Sequence, residues 1–391
     1  MLIALNNQNK HVLAHEEGKK NKVHYLYPVC KGSVCLKKGE IKLPHFAHLQ
    51  SEKCQVFSEG ETEEHLIGKR VLYNWFIQQG IPCQLEAYIP SLKQRPDLVI
   101  WLSSDQPCAI EFQCSPLSIK RLQERTQGYK SAGYAIYWIL GSAFLPKKNF
   151  SMSQRAFFTY RQDLGFQLYY LDAFKKQILC LVRIREEEPS KKISYQSIYF
   201  NIVKPKNTIR KLIGILNNLK KAQQLNRNEK GAQHLLYAHF YLNQSRFYRT
   251  AEMKKFQQYL YERGESLVTI PKEVYFPFYR HSGIKTSSYY WHYLIIDWLM
   301  SKGKGSVFSE SIYKTYIFKL VSEQKIELYQ FPQISTETII NECKAYLSTL
   351  KTFGLIEKVG SQQWLILKKP YFYKNENEKM TAFKQHQNRQ I

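Results

Sequence analysis

Apolar positions in the first half of the chain follow a helical spacing and then strand-like spacings. After Glu61, apolar residues such as Leu66, Trp75 and Phe76 recur at near-helical intervals, and Gly80 supplies a C-terminal stop, so the pattern predicts a helix. Short apolar runs bounded by turn residues follow, which is typical of buried strands. We expect strands at 84–89, 97–102, 108–114 and 134–140, and a second helix near 119–129. The order helix, three strands, helix, strand predicts an α/β domain.

The second half of the chain is predicted to be mainly helical. Residues 208–223, 251–263 and 335–352 have helix-like patterns. A Gly-containing turn between two strand-like segments follows at 354–367, so residues 305–370 resemble a winged-helix unit. The alternative is an ordinary helix and hairpin used for packing.

Two changes of pattern divide the chain. The polar segment at 58–60 precedes the first helix, and the charged run at 183–192 follows apolar, strand-like residues. The sequence therefore predicts three parts: an N-terminal module at 1–57, an α/β domain at 58–185 and a basic, mainly helical region at 186–391.

Positive charge is concentrated in the last of these parts. The chain has 57 Lys and Arg against 32 Asp and Glu, a formal net charge of +25, and +17 of it falls in residues 181–391. Such an excess predicts a polyanionic partner, either nucleic acid or an anionic membrane surface. No apolar run approaches the ~20 residues of a membrane-spanning helix, and the N-terminus lacks the apolar region of a signal peptide. We therefore expect a cytoplasmic protein without membrane insertion, and DNA as its partner.

Aromatic residues are interspersed among the basic ones over residues 193–300. Such rings can stack on unpaired bases, as in single-strand binding. The alternative, which applies to most of them, is that Tyr and Phe fill cores.

Five side chains of metal-binding type lie close together in the N-terminal module: Cys30, Cys35, His45, His48 and Cys54. Thiolates and imidazoles at short spacing suit tetrahedral zinc, and a module of this size has little core to fold on without it. A subset of the five would form a zinc-knuckle-like site. The alternative is a small β-rich domain with reduced cysteines and packing histidines.

Carboxylates mark the α/β domain as the candidate catalytic part. Asp97 lies at the start of a predicted strand, and Glu111 lies within the next one, between Ile110 and Phe112. Glu111 and Gln113 share a face of their strand because side chains alternate. A carboxylate embedded among apolar residues needs compensation, which a divalent cation shared with Asp97 would provide. Such oxygen ligands suit Mg²⁺ or Mn²⁺, which activate water and neutralise charge on a scissile phosphate.

Taken together, these motifs resemble those of the competence protein CoiA family, with the core of the PD-(D/E)xK nuclease superfamily. The resemblance extends motif by motif over residues 20–140, and beyond them only in length and in basic, helix-rich character. The segments that carry it are CKGSV at 30–34, PHFAH at 44–48, EEHLIGKR at 63–70, RPDLVI at 95–100, EFQCSPLS at 111–118 and the following helix with Arg121, Arg125 and Tyr129. It implies a restriction-endonuclease-like α/β core.

The resemblance also implies roles for single residues. Asp97 and Glu111 would be the metal ligands, and Glu64 would be the helix-borne acidic residue of the catalytic set. Gln113 stands where the superfamily usually has a lysine. A neutral amide can position water or hydrogen-bond a phosphate, but it cannot supply the positive charge of an ammonium. The alternative for the acidic residues of the first helical turn is a favourable interaction with the helix dipole.

Basic and aromatic side chains around this core are expected to contact DNA. Two arginines four residues apart share a helix face and could straddle a backbone phosphate. The alternative is a solvated basic face. The full set of expected DNA contacts is Lys69, Arg95, Arg121, Arg125 and Tyr129.

The resemblance implies a metal-dependent DNA nuclease of the competence pathway, a phosphodiesterase or endonuclease. It would act on incoming or recombining DNA during natural transformation, alongside recombination proteins, with single-stranded or branched DNA as the expected partner. The alternative is a non-catalytic DNA-binding adaptor that recognises such DNA and supports recombination. The neutral Gln113 keeps that alternative open.

Overall fold

Contacts within the chain form two compact units. The first comprises Met1–Val182 and Gln196–Lys220, and the second comprises Arg183–Tyr195 and Lys221–Ile391. The computed structural model describes residues 1–18, 24–39, 43–49, 61–103, 106–219, 231–247 and 250–388. The boundary expected at 57–58 lies outside these residues, and the segment 196–220, expected in the C-terminal region, belongs to the first unit. None of the helices in the described ranges is long and apolar enough to cross a membrane.

The N-terminal module is an antiparallel sheet of short strands. Its strands are β1 (Ile3–Leu5), β2 (His11–Leu13), β3 (Tyr25–Leu26), β4 (Ser33–Lys37) and β5 (His45–His48), in the order β2-β1-β3-β4-β5. A small core of Ala4, Tyr25, Tyr27, Val34 and Phe46 supports it. The module is therefore β-rich and has an apolar core of its own.

The α/β core has its elements in the predicted order. Helix α1 (Glu63–Ile77) begins after Thr62, whose hydroxyl accepts a hydrogen bond from the His65 backbone N. Strands β6 (Cys83–Leu85), β7 (Leu98–Trp101) and β8 (Pro107–Gln113) are antiparallel, and α2 (Ile119–Ser131) crosses over to β9 (Ala135–Leu140), which runs parallel to β8. Strand β6 is shorter than expected because Glu86, with φ of 50°, turns the chain out of the extended conformation.

Further strands extend this sheet, and two helices lie among them in the chain. The strands are β10 (Thr159–Arg161), β11 (Gly165–Asp172), β12 (Gln177–Glu187) and β13 (Ile193–Asn201), and the helices are α3 (Met152–Ala156) and α4 (Ile209–Asn218). The strand order is β13-β12-β11-β9-β8-β7-β6, and β10 pairs with β11. The parallel pair β8-β9 therefore lies inside a mixed sheet, and β8 has a neighbour on each side.

Helix α1 packs closely against β8. Leu66 and Phe76 of the helix join Phe112 of the strand in the main core of the first unit. The approach requires Gly68, since a Cβ there would lie 2.0 Å from the Phe112 ring. Strand β13 contributes Phe200 to the same core, Ile202 follows directly after the strand, and helix α4 contributes Leu212 and Leu216.

The second unit is mainly helical. Its helices include α5 (Gly231–Ser245), α6 (Ala251–Tyr261) and α7 (Ser288–Lys302), and β14 (Tyr279–Arg280) pairs with the end of β12. Most residues of α7 are buried, from Ser288 to Leu299. A helix that is buried nearly all round lies at the centre of its unit, with the other helices around it.

The segment 305–370 combines helices with a three-stranded sheet. Its elements are β15 (Val307–Ser309), α8 (Glu310–Ser322), α9 (Thr336–Glu342), α10 (Ala345–Thr352), β16 (Ile356–Lys358) and β17 (Gln363–Ile366), with strand order β15-β17-β16, and α11 (Glu376–Asn388) follows. The single helix expected at 335–352 is divided in two. The Tyr313 hydroxyl donates to the Cys343 carbonyl, and the Leu347 backbone N donates to the Lys344 carbonyl, so the regular helical bonding is interrupted there.

Candidate active site

A cavity of about 70 Å³ lies where α1, β7, β8 and α2 meet in the first unit. Eight residues that were expected at the site or that the structure adds to it line the cavity: Glu61, His65, Arg95, Asp97, Glu111, Gln113, Arg121 and Arg125. The antiparallel register sets Leu98 opposite Ile110, and its continuation sets Asp97 opposite Glu111. Cross-strand neighbours lie on the same face, so the two carboxylates are adjacent in the cavity.

Asp97 is an ionised carboxylate held by three groups. Its Oδ2 accepts hydrogen bonds from the Phe112 backbone N at 2.7 Å and from His65 Nε2 at 3.0 Å, and its Oδ1 lies 3.9 Å from Lys69 Nζ. Burial alone would raise the Asp97 pKa, but His65, Lys69 and the backbone donor outweigh it and lower the pKa well below its ordinary value. The site therefore contains one fixed negative charge.

Glu111 has the opposite tendency. Its side chain is 3% exposed, and burial, reinforced by the neighbouring Asp97 charge, raises its pKa to about 7. Arg125 and Tyr129 both donate hydrogen bonds to Glu111 Oε1. These bonds favour the ionised carboxylate, so they limit the increase in its pKa. A carboxyl group with this pKa can gain or lose a proton at neutral pH.

The two remaining members of the expected catalytic set lie in different places. Gln113 lines the cavity, and its Nε2 donates to the Ser115 carbonyl at 2.8 Å. Glu64 is not among the lining residues, since its carboxylate accepts from the backbone N and the hydroxyl of Ser142, each at 2.8 Å. The acidic residue that precedes α1 and does line the cavity is Glu61. The structure thus brings Asp97, Glu111 and Gln113 together and places Glu64 at another contact.

A cluster of four charged side chains lies next to the cavity: Glu61, Lys69, Glu86 and Arg95. Lys69 Nζ donates to Glu61 Oε1 at 2.6 Å and to Glu86 Oε1, and the Glu86 carboxylate also accepts from the Leu2 backbone N. Arg95 Nη1 lies 3.4 Å from Glu86 Oε2. Burial would raise the Glu86 pKa, but Lys69 and Arg95 lower it to about 2. All four charges are therefore balanced inside the protein.

The expected DNA contacts differ in their access to solvent. Lys69 and Tyr129 are both 0% exposed, so neither can touch a bound polyanion, and we correct that expectation. They occupy the inward faces of α1 and α2, where they neutralise or hydrogen-bond buried carboxylates. Arg95 and Arg125 line the cavity but are largely buried and paired with carboxylates. Arg121 lines the cavity with an exposed side chain.

Sequence reasoning missed three charged or titratable residues at the site: Glu61, His65 and Glu86. Glu61 and His65 are each spaced four residues from the next member of the series that ends at Lys69, which places all three along one side of α1 and its N-terminal extension. That spacing was the signal for Glu61 and His65. Glu86 gives no such signal, because its inward position depends on the left-handed backbone conformation at the end of β6.

The carboxylate pair matches the donor chemistry of a divalent cation in part. Among the residues that the structure describes, no group of three or more His, Cys, Asp and Glu side chains is arranged to hold a metal ion. Mg²⁺ usually takes only one or two carboxylates and completes its shell with water and substrate phosphate. Asp97 and Glu111 fit that donor set, since they are adjacent in one cavity and the burial of Glu111 is incompletely compensated.

The described Cys and His candidates of the N-terminal module lie on two faces of its sheet. Cys30 Sγ lies 4.0 Å from His48 Nε2. The register of β4 against β5, with strand alternation, places Cys35 and His45 on the face opposite to His48. A single zinc site cannot use all four. Cys54 lies outside the described residues, so a zinc site that includes it stays a prediction.

Comparisons with known proteins cover most of the chain. Three family models match: the N-terminal domain of competence protein CoiA over residues 5–57, its nuclease-like domain over 61–213 and its C-terminal domain over 234–380. The nuclease-like domain contains every residue of the cavity described above. The match extends through β13 into the first half of α4, and both elements belong to the first unit.

A curated relative supports the same assignment. Competence protein CoiA of Bacillus subtilis (strain 168) is 36% identical over 149 residues, which is 38% of this chain and 40% of that protein. No solved structure matches the chain significantly. The three family models follow one another in the same order as the predicted parts and together span the chain. The chain therefore belongs to the competence protein CoiA family.

Proposed function

We propose that this chain is a DNA phosphodiesterase that acts in competence, with its reaction centre at Asp97 and Glu111. The observation that carries the proposal is the adjacent pair of buried carboxylates with opposite ionisation. Asp97 stays an anion, whereas Glu111, with a pKa of about 7, can exchange a proton at neutral pH. Separation of the pKa values of neighbouring carboxyl groups is the usual basis for dividing acid and base roles between them.

Each of the other lining residues has a part in this reaction. Arg121, exposed at the cavity, binds the substrate phosphate, and Arg125 keeps the Glu111 carboxyl oriented. His65 and the Phe112 backbone N hold Asp97 in place. The Gln113 amide, itself positioned by Ser115, hydrogen-bonds the attacking water or a phosphate oxygen.

Glu111 is the group that moves a proton. In its ionised form it accepts the proton of the attacking water, and it returns that proton to the leaving oxygen. Mg²⁺ or Mn²⁺, held by Asp97 together with the substrate phosphate, would supply charge neutralisation and water activation. The role expected of Glu64, that of the acidic residue near the start of the first helix in the catalytic set, passes to Glu61, which lines the cavity and is anchored by Lys69.

The test is cleavage of single-stranded, duplex and branched DNA in the presence of Mg²⁺ or Mn²⁺. Asp97→Asn and Glu111→Gln are expected to lose at least about 100-fold in rate, the usual effect of removing a general acid or base. Glu124→Gln is the matched control, because Glu124 is an exposed carboxylate on α2 outside the cavity, and it should cleave like the wild type. Metal-dependent cutting that survives both cavity substitutions would refute the assignment of the site.

A second candidate function is a DNA-binding adaptor without catalysis. The neutral Gln113 favours it, because an amide cannot supply the positive charge of the usual lysine. Such an adaptor would use the same cavity and arginines to recognise single-stranded or branched DNA and to assist recombination proteins. Binding without cutting on every substrate and with either metal would favour this function over the nuclease.

The C-terminal part supplies the binding surface in either case. The element order β15-α8-α9-α10-β16-β17, with β17 central in the sheet, supports a winged-helix-like unit at 305–370. The positive charge of the C-terminal region would hold DNA electrostatically while the α/β core acts on it.

A further inference from the structure

The second unit contains a cavity of its own, of about 360 Å³. It is formed by the turn between β12 and β13, the end of α5, the start of α6 and the start of α7. None of the residues of the candidate active site lines it. Its volume falls within the range of about 300–1,000 Å³ that is usual for small-ligand sites, and a single nucleobase is small enough to enter it.

Aromatic rings form much of the cavity wall. Phe256 and Tyr290 are stacked on each other, with ring centroids 5.0 Å apart and an interplanar angle of 29°. Tyr241 also lines the cavity and is 39% exposed. Two further exposed rings lie near it on α5: Tyr237 and Phe240, which are 51% and 50% exposed. Phe256 and Tyr290 are only 1% and 4% exposed, so Tyr241 is the ring of the wall that is open to a base, and exposed rings of this kind are suited to stacking on bases.

Two buried polar groups point to a ligand with hydrogen-bonding groups. Glu188 is 7% exposed; its carboxylate accepts from the Ser288 backbone N, and Arg280 Nε lies 3.9 Å from its Oε1. Each carboxylate oxygen has a further lone pair to offer. Tyr289 lines the same cavity, and its hydroxyl is buried and has no hydrogen-bond partner among the described residues. A buried polar atom without a partner is costly, and a bound ligand would relieve that cost.

We propose that this cavity binds one unpaired nucleobase of single-stranded DNA. Glu188 accepts hydrogen bonds from the N–H groups of the base, Tyr289 hydrogen-bonds a further base atom, and the exposed ring of Tyr241 stacks on its face. Bases taken out of a stack are recognised in this way, through their Watson–Crick edge and between aromatic side chains. Lys191 and Arg280, which also line the cavity, provide positive charge for the flanking phosphates.

The chemistry of the carboxylate predicts which base is preferred. An ionised carboxylate only accepts hydrogen bonds, so it favours a base edge with adjacent donors. Guanine presents N1–H and an exocyclic amino group side by side, whereas thymine presents a single N3–H. The cavity should therefore bind guanine more tightly than thymine.

The inference rests on the proposed function only in taking DNA as the partner. Its test is fluorescence anisotropy of the full chain with an oligothymidylate that carries one dG, against the same oligonucleotide without it. The measurement is made in EDTA, so that it does not depend on metal-dependent cleavage. We expect the wild type to prefer the dG strand by about tenfold, the usual effect of one well-made base contact.

Two cavity variants and one control variant separate base recognition from general electrostatics. Glu188→Gln removes one negative charge, which by itself would strengthen DNA binding, yet it should abolish most of the dG preference. Glu327→Gln makes the same charge change at an exposed residue of the second unit outside the cavity, and it should keep the preference. Tyr289→Phe removes only an oxygen that has no hydrogen-bond partner within the described ranges, so it should fold normally and still lose several-fold in affinity for the dG strand.

The outcomes distinguish this site from the nuclease. Wild-type protein without a dG preference, or a preference that both cavity variants retain, would refute base binding here even if cleavage at Asp97 and Glu111 is established. If Glu188→Gln does not fold, the dG preference of Tyr289→Phe alone decides whether the cavity binds a base. If dGMP competes as tightly as the oligonucleotide, the occupant is a free nucleotide and the assignment to a strand is wrong. Loss of cleavage in Asp97→Asn with the dG preference intact would concern the proposed nuclease alone.

Discussion

Two carboxyl groups on neighbouring strands differ in charge because their partners differ. Asp97 accepts from His65 and a backbone N–H, which favour the anion, whereas Glu111 is buried deeper and lies beside that anion. Like charges at short distance cannot both be ionised cheaply, so the second group retains its proton more strongly. At the residue scale, the candidate reaction centre therefore depends on a difference between two environments rather than on residue type.

Lys69 is the residue on which this charge balance most depends. Lys69→Met leaves Glu61 and Glu86 buried without their main counter-ion, and loss of one partner of a buried ion pair typically costs about 3–5 kcal/mol. We expect the free energy of unfolding, measured by urea denaturation at pH 7, to fall by that amount. Lys120→Met, at a side chain that is 87% exposed, is the control and should change it by less than about 0.5 kcal/mol.

The same variant has an expected pH dependence. The folded-state pKa of Glu86 is lowered to about 2 from an ordinary value of 4.5, so its pairing stabilises the fold above pH 4.5 and is lost as pH falls towards 2. The difference in stability between wild type and Lys69→Met should therefore narrow in that interval. A difference that stays constant with pH would mean that Lys69 stabilises the fold through packing alone.

At the scale of elements, local patterns were sufficient to predict the helices and strands of the α/β core in order. The rotation of each helix about its own axis was not predicted. Glu64 of α1 contacts Ser142, whereas Glu61, three residues earlier in the chain, lines the cavity. On α2, where Arg121 and Arg125 were expected to act together, Arg121 is exposed and Arg125 is largely buried. These choices depend on which helix face meets the sheet, and a charge pattern alone does not specify that.

The contact between α1 and β8 makes a prediction about Gly68. In Gly68→Ala the added methyl would lie 2.0 Å from the Phe112 ring, so strand or helix must shift. Overpacking of this kind typically costs about 1–3 kcal/mol, and we expect that loss in urea denaturation. Because Phe112 lies between Glu111 and Gln113, cleavage or DNA binding at the cavity should weaken too.

Gly214→Ala in α4 is the matched control. That glycine is helical, and outside its own helix backbone no described residue has an atom within 4 Å of the added Cβ, so the substitution should be neutral or should stabilise the helix by up to about 1 kcal/mol. Equal destabilisation by both substitutions would indicate that the close approach at Gly68 is not the cause.

At the scale of the whole molecule, charge and candidate chemistry occupy different parts of the chain. Residues 220–391 contain 26 basic and 14 acidic residues, a net charge of +12, whereas residues 61–180 have a net charge of +4. A division of this kind separates electrostatic holding of a polyanion from the reaction itself. It also explains why the net charge predicts the partner without locating the site.

Truncation tests this division. The cut must follow residue 219, because an earlier cut near residue 193 would remove β13 and α4 from the core of the first unit. The truncated protein should bind DNA with a shallower dependence of log K on log salt, since fewer phosphate contacts release fewer counter-ions. Circular dichroism checks that it is folded. An unchanged salt slope would place the phosphate contacts in the first unit.

The sequence by itself determined the family, the order of elements in the α/β core, the basic C-terminal region and the candidate pair Asp97 and Glu111. Each of these depends on local motifs, periodicity or composition. Only the tertiary structure decided that Lys69 and Tyr129 are internal, that Glu61 replaces Glu64 at the cavity, and that Glu188 and Tyr289 share a second cavity. The physical reason is that burial and ionisation depend on neighbours that are distant in the chain, and those neighbours are set by packing.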